Sequence, residues 1–169
     1  MPVQVYSFYI FDRHTECIYS KQWYQQPPSL TSPSSTISSP PPTEAAPSNG
    51  LPSKKPRDKS SDDAKLIYGT VFSLRNMVRK LGGDDDAFIS YRTSQYKLHY
   101  YETPTNLRFA LLTEPGSLSM RNVLHQIYIN LWVEYVVKNP LSPVEHKGGE
   151  GVRNEMFEMG LDKFIRGLM

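Results

Sequence analysis

Apolar and polar residues alternate along five short segments, which span residues 3–11, 17–24, 87–93, 96–102 and 107–113. These segments are rich in β-branched and aromatic residues, which favour strands. Short polar connectors follow the first, third and fourth segments, as expected between antiparallel neighbours. The pattern therefore predicts five strands, in a group of two followed by a group of three.

The first segment predicts a central strand, because both of its faces are apolar. One face carries Val3, Val5, Tyr9 and Phe11, and the other carries Tyr6, Phe8 and Ile10. A strand of this kind is typical of the middle of a sheet that is covered on both sides.

The fourth segment predicts a half-exposed strand, because its two faces differ in polarity. Tyr96, Leu98 and Tyr100 alternate there with Lys97, His99 and Tyr101. Successive side chains of a strand point to opposite faces, so the second set is expected to meet solvent.

Three further segments have the periodicity of amphipathic helices. The first carries Ile67, Val71, Leu74, Val78 and Leu81 at 4-3-4-3 spacing, with Asp62 or Asp63 as its cap and Gly82-Gly83 as its stop. The second is long, is capped by Ser117 or Ser119, and ends at Asn139-Pro140. One of its faces carries Met120, Leu124, Ile127, Leu131 and Tyr135, and Val123, Val133, Val136 and Val137 broaden that face. The last carries Phe157, Leu161, Phe164 and Leu168.

Residues 25–62 follow neither pattern. They contain nine of the fourteen prolines and no aromatic residue. A segment of this composition cannot bury enough apolar area to offset its ordering entropy, which predicts a disordered, Pro- and Ser-rich insertion. Residues 1–24 and 63–169 then form one domain of about 130 residues, enough for a sizeable core. The order β-β-α-β-β-β-α-α predicts an α+β domain with helices packed on an antiparallel sheet.

Composition and charge argue against several classes of function. The net charge is only +2, which gives no overall electrostatic case for nucleic acid or for an anionic membrane. The single cysteine, Cys17, excludes an internal disulfide and favours a reducing compartment. The N-terminus does not resemble a signal peptide, and no apolar run approaches the roughly 20 residues that span a bilayer. These features predict a soluble cytoplasmic protein.

No catalytic, cofactor or metal site is predicted. The sequence contains no phosphate-binding glycine motif and no zinc-ligand spacing. The four histidines, His14, His99, His125 and His146, are scattered. Cys17 has no local activating motif, and the GGDDD run at 82–86 lacks the alternating spacing of a calcium loop. The sequence therefore favours a protein-interaction role over an enzyme.

Long contiguous stretches carry a resemblance to a known family. They are YSFYIFDR at 6–13, LIYGTVFSLRNMV at 66–78, YRTSQYKLHYYETPT at 91–105, VLHQIY at 123–128 and VEYVVKNPLSP at 133–143. In these stretches the chain resembles the small, longin-like subunits of the TRAPP vesicle-tethering complex, of the Bet and sedlin type. The resemblance covers nearly all of the chain except residues 25–62, where that family usually has a short connector.

The resemblance implies a fold and a role. The fold is longin-like, a five-stranded antiparallel sheet with one helix on one face and two on the other. The role is that of a TRAPP core subunit in a platform that promotes guanine-nucleotide exchange on the Rab GTPase of ER-to-Golgi transport. The implied partners are a synbindin-like longin subunit, a palmitoyl-pocket subunit and that GTPase. The implied location is the cytoplasmic side of cis-Golgi and endoplasmic reticulum membranes, reached through the complex.

Candidate interface residues follow from the first helix. At about 100° per residue, Tyr68 and Phe72 project to one side of the apolar stripe, with Arg75 and Arg79 beside them. A helix alone on its sheet face has no second helix to cover them, so we expect these four residues to contact a partner, with packing on the sheet margin as the alternative. Weaker candidates are Lys97, His99, Tyr101, Lys138, Asn139 and Pro140.

Two other classes of protein remain open. A small chain of a coat adaptor shares the longin-like fold, and so does a longin-domain SNARE, which would need a heptad helix and a membrane anchor. An independent cysteine hydrolase would depend on Cys17 alone.

Overall fold

The computed structural model describes residues 2–24, 59–83 and 88–169. Most of the predicted insertion, 25–58, lies outside the described residues, and so do the three aspartates of the GGDDD run. The last four residues assigned to the insertion, 59–62, form the first turn of a helix.

Five antiparallel strands form one sheet, as predicted. They are β1 (Val5–Phe11), β2 (Cys17–Gln22), β3 (Ser90–Arg92), β4 (Lys97–Glu102) and β5 (Arg108–Thr113). Their order across the sheet is β2-β1-β5-β4-β3. Strand β1 is therefore an interior strand, as predicted, and it pairs with β2 on one side and with β5, the last strand along the chain, on the other. The strand predicted at 87–93 is observed as the short edge strand β3, which pairs only with β4, and residue 87 lies outside the described residues.

The helices cover both faces of the sheet. Helix α1 (Lys59–Gly82) lies on one face. Helix α2 (Arg121–Ile127), the π-helical segment Tyr128–Val137 that continues it, and α3 (Glu155–Arg166) lie on the other. A short 3-10 turn, Lys147–Gly149, precedes α3. This arrangement confirms the predicted α+β architecture with one helix against two.

Two apolar cores result, one on each side of the sheet. On the α1 side the sheet contributes Tyr9, Phe11, Leu98, Tyr100, Ala110 and Leu112. On the other side Phe8, Ile10, Phe109 and Leu111 pack against Leu124, Ile127, Trp132, Phe157, Leu161 and Ile165. The second core is larger because two helical layers close over it.

Strand β1 departs from simple alternation at its start. The register with β5 shifts between Val5 and Ser7. A bulge of this kind reverses the alternation of side chains beyond it. The prediction that Val5 shares a face with Tyr9 is therefore wrong, and Val5 is buried with Phe8 in the larger core.

Strand β4 is not half-exposed as predicted. Leu98, His99 and Tyr100 are all buried. The loop before α2 and α2 itself cover the face that the pattern assigned to solvent, so both faces of the strand are packed.

Helix α1 begins at Lys59 rather than at Asp62 or Asp63. It packs on the sheet through Ala64 and Val71, which are buried, and through Tyr68. Of the predicted stripe only Val71 is buried, while Leu81 is 83% exposed. The helix is therefore rotated towards Tyr68, relative to the orientation that its apolar periodicity predicts.

The second helix ends where predicted but begins differently. Its π-helical part ends at Val137, immediately before Lys138 and Asn139-Pro140. Neither predicted serine caps it, and Met120 occupies the cap position without a side-chain hydrogen bond. Val137, assigned to the buried face, is exposed. A π-helix is wider than an α-helix, so side chains beyond its start shift from the positions that a 3.6-residue period predicts.

Gly149 brings the turn before α3 against β2. It has φ +82°, and a Cβ added there would lie 2.5 Å from the carbonyl oxygen of Ile18. We expect Gly149→Ala to lower the free energy of unfolding by about 2 kcal/mol, because it adds both strain and a backbone clash. Urea unfolding of the purified chain measures this.

Gly69→Ala is the matched control. Gly69 lies within α1, and no atom lies within 4 Å of an added Cβ. Its replacement should raise the free energy of unfolding by up to about 1 kcal/mol. Equal unfolding midpoints for Gly149→Ala and the wild type would contradict this account of the turn.

Candidate protein-interaction site

The aromatic pair on α1 is only partly exposed. The Tyr68 ring centroid lies 5.4 Å from that of Phe11, so Tyr68 packs on the end of β1. Phe72 stacks on Tyr68 with the centroids 6.0 Å apart, and it is 48% exposed. Tyr68 therefore packs on the sheet margin, the alternative expected for these residues. Phe72 is the outer member of the pair and the one available to a partner.

Arg75 forms an internal ion pair. Its Nε and Nη2 donate to Glu102 Oε2 and Oε1, each at 3.1 Å, and both side chains are largely buried. Arg108 Nε lies 3.9 Å from the same carboxylate. A bidentate pair of this kind fixes orientation as well as contributing energy. Arg75 thus ties α1 to the end of β4, which is the packing on the sheet margin expected as the alternative to a partner contact.

Tyr100 belongs to the same cluster. Its hydroxyl donates to Glu102 Oε2 at 3.3 Å. Burial, followed by the negative charge of Glu102, raises the pKa of Tyr100 above its usual range. The phenol therefore remains a hydrogen-bond donor. Arg79, one turn beyond Arg75, is exposed on the same side of the helix.

Lys97 and Tyr101 also have internal partners. Lys97 Nζ donates to the carbonyl oxygen of Ser117 at 2.8 Å. The Tyr101 hydroxyl lies 2.7 Å from His125 Nδ1 on α2. Both side chains are half-buried because α2 and the loop before it cover this face. The prediction of an exposed strand face is wrong here.

His99 is buried in a polar network, with only 2% of its surface exposed. Its Nδ1 accepts from the backbone N–H of Met120 at 3.4 Å, which assigns the proton to Nε2. Nε2 lies 3.0 Å from Thr113 Oγ1 and 3.1 Å from Ser117 Oγ. Those contacts explain why Ser117 is not a helix cap. His99 is a positioning residue that ties β4 to the start of α2.

Burial, with a contribution from the charge of Lys97, lowers the pKa of His99 to about 4. The imidazole is thus neutral at physiological pH, and its contacts hold β4, β5 and the start of α2 together.

The helix-exit candidates are exposed or half-buried, and two of them make local contacts. Lys138 Nζ lies 2.6 Å from Glu134 Oε1, one turn earlier. Asn139 Oδ1 accepts from the backbone N–H of Leu141 at 3.0 Å, which closes the turn at Pro140. Asn139 thus has a local role in closing the turn after the helix.

The outer side of α1 carries exposed apolar residues that the sequence analysis did not single out. Leu66 and Met77 are exposed, and they lie on the same side of the helix as Leu81. Ile67, Leu74 and Val78 beside them are only half-buried. The signal in the sequence is that the apolar residues of α1 spread over more of its circumference than one sheet face can bury.

Cys17 has none of the features of a nucleophile. Burial raises the pKa of its thiol to about 11, and Sγ donates to the carbonyl oxygen of Tyr19 at 3.4 Å. Within residues 2–24, 59–83 and 88–169, no three His, Cys, Asp or Glu side chains are grouped to hold a metal. In the same part of the chain, no helix has the length and apolarity needed to cross a membrane.

A five-stranded antiparallel sheet with a lone helix on one face and two helical layers on the other is a longin-like α+β fold. The chain belongs to the Sybindin-like family, whose sequence profile matches residues 5–168.

Relatives match it along nearly its whole length. "Transport protein particle subunit bet5" of Schizosaccharomyces pombe is 42% identical, over 97% of each chain. "Trafficking protein particle complex subunit 1" of Homo sapiens is 36% identical, over 97% of this chain and 93% of that protein. "Trafficking protein particle complex subunit BET5" of Saccharomyces cerevisiae is 35% identical, over 94% and 86%.

The His99 network makes stability dependent on pH. An unfolded histidine titrates near 6.5 and the folded one near 4, so the unfolded chain binds more protons between these values. The contribution of His99 to folding is complete above pH 6.5 and declines as the pH falls towards 4, by at most about 3 kcal/mol. We expect His99→Gln to flatten the dependence of unfolding free energy on pH in this window.

His125→Gln is the matched control, because His125 is exposed on α2. This substitution leaves the buried contacts of His99 in place, so the pH dependence that those contacts cause should remain. The same slope in the wild type and in His99→Gln would show that His99 does not cause the pH dependence.

Proposed function

We propose that the chain is a core subunit of a TRAPP vesicle-tethering complex and contributes to the platform that promotes guanine-nucleotide exchange on the ER-to-Golgi Rab GTPase. One observation carries the proposal. Proteins named as TRAPP subunit 1 or bet5 match this chain over almost the full length of both sequences. Sharing a fold alone would support much less, because longin-like folds serve several trafficking complexes.

The exposed apolar residues support a role as a subunit. Phe72 and Leu81 expose large apolar surface on the lone helix of one sheet face. Exposed apolar groups beside a charged residue such as Arg79 are typical of a protein interface. The partners that we propose are a synbindin-like longin subunit, a palmitoyl-pocket subunit and the GTPase.

Nucleotide exchange requires no covalent chemistry from this chain. An exchange factor acts by favouring the GTPase conformation that holds nucleotide weakly, and it can do so only through differential binding to the two conformations. The chain would therefore act as a non-enzymatic interaction subunit. It would lie on the cytoplasmic side of cis-Golgi and endoplasmic reticulum membranes, attached through the complex.

The interface candidates now divide into four groups. Phe72 and Arg79 are exposed, and we propose that they contact a partner directly. Tyr68 and Arg75 support that surface from below, through Phe11 and Glu102. Lys97, His99 and Tyr101 act within the chain, and a direct contact from Lys138, Asn139 or Pro140 is a weaker proposal.

The test is guanine-nucleotide release from the early-secretory Rab GTPase, measured with reconstituted small TRAPP subunits. We expect release to fall roughly tenfold or more when this chain is omitted, which corresponds to about 1.4 kcal/mol of lost transition-state stabilisation.

Unchanged release and unchanged assembly without the chain would reject the proposal. Pull-down of coat-adaptor chains instead would favour the alternative, a longin-type small subunit of another trafficking complex.

A further inference from the structure

A cavity of about 390 Å³ opens at one end of the sheet. The β1–β2 turn, the β4–β5 turn and the end of the π-helical segment meet there. Its apolar wall includes Leu107, Trp132, Val136, Val137 and Val144. The volume falls within the range of pockets that take small molecules or single large side chains.

The loop along this cavity is held firmly in place. Gly151 has φ +77°, and its added Cβ would lie 2.6 Å from Pro143 Cδ, so the loop packs closely on itself. Glu16 Oε1 accepts from the backbone N–H of Gly148 at 2.9 Å. Arg13 pairs with Glu145, and the His146 ring packs edge-on against Trp132 at 5.4 Å. Contacts with the β1–β2 turn and with the π-helical segment, together with packing within the loop, thus fix its shape.

This fixed loop nevertheless exposes two aliphatic side chains to water. Leu141 is 91% exposed and Val144 is 98% exposed, and Val137 beside the cavity is also exposed. A loop without an apolar function is expected to carry polar residues at such positions. Clustered exposed apolar groups beside a preformed cavity are typical of a docking surface.

A charged group supplies the polar part of the site. Asp12 lines the cavity and is nine-tenths buried. Its Oδ1 accepts from the backbone N–H groups of His14 and Glu16, at 2.9 and 2.8 Å. Within the described residues, no donor reaches Oδ2. This carboxylate oxygen is left to solvent at the edge of the cavity, where a Lys or Arg side chain from outside can pair with it.

The cavity lies at the same end of the sheet as the surface proposed above. Tyr68 packs on Phe11, and the next residue along the chain, Asp12, lines the cavity. Arg75 reaches Glu102 at the same end of the sheet. The outer face of Phe72 and the cavity are therefore on opposite sides of one sheet end, with the strand turns between them.

We propose that this cavity is a docking site for a partner protein, which inserts one aromatic or large aliphatic side chain against Trp132 and Val136 and places an adjacent Lys or Arg at Asp12. Leu141 and Val144 form the rim that the partner covers. The choice of a TRAPP assembly for the test rests on the proposed function. The recognition of an apolar side chain and a cation by this cavity does not rest on it.

The test uses the full chain in the reconstituted TRAPP small-subunit assembly. One variant is the double substitution Leu141→Ser and Val144→Ser, which removes the apolar rim without touching a buried residue. The matched control is Leu118→Ser, an equally exposed leucine in the loop before α2. Incorporation into the assembly and the Kd for the nucleotide-free GTPase are both measured.

We expect the double variant to lose at least about tenfold in one of these two affinities, while Leu118→Ser matches the wild type. Asp12→Asn keeps the Oδ1 acceptor for the turn but removes the charge. It should weaken the same affinity and reduce its dependence on salt.

Wild-type values of both affinities for the double variant would overturn the proposal. So would a wild-type chain that forms a dimer with itself through this rim, since the occupant would then be a second copy. If omission of the wild-type chain leaves nucleotide release unchanged, the proposed function fails, and incorporation of the double variant still decides the docking site.

Discussion

The pairing of β1 with β5 at the centre of the sheet is the constraint on which the rest of the structure depends. Phe8 opposes Leu111 on one face and Tyr9 opposes Ala110 on the other, so the two strands present apolar residues together on both faces. Because both faces of this strand pair are apolar, helices must cover both faces. Two helical layers close one face, while α1 alone closes the other.

That asymmetry explains where apolar surface remains exposed. A single helix buries only the strip of sheet that it crosses, and α1 does so through Ala64, Tyr68 and Val71. Phe72, Leu66, Met77 and Leu81 stay on its outer sides. We propose that a neighbouring subunit covers these groups, which would offset the free-energy cost of leaving them in water and so favour assembly.

The secondary-structure elements could be predicted from the sequence, because the periodicities of strands and helices are local signals. The five strands, the two-sided burial of β1 and the three helical regions could all be predicted from residue spacing. The face of the sheet on which Val5 lies could not be predicted, because a bulge reverses the alternation of side chains there. Nor could the rotation of α1, because five apolar positions at helical spacing do not show which of them the sheet buries.

The candidate site was harder to predict, because polar residues acquire their roles from distant partners. Arg75 pairs with Glu102, 27 residues away, and His99 contacts Ser117, 18 residues away. Nothing local in the sequence distinguishes these internal contacts from free surface charges. The exposed residues of α1 and of the loop at Leu141 and Val144 are visible only once the packed surfaces are known.

The most direct test of the central claim, that the exposed side of α1 is a subunit interface, is the affinity of a Phe72→Ser chain for the other small TRAPP subunits, measured by isothermal titration calorimetry. Phe72 is half exposed, so the free energy of unfolding of the variant should stay within about 1 kcal/mol of the wild-type value. The account predicts a loss of affinity of about tenfold or more with folding intact. Wild-type affinity would contradict it, and would show that Phe72 serves only to cover Tyr68.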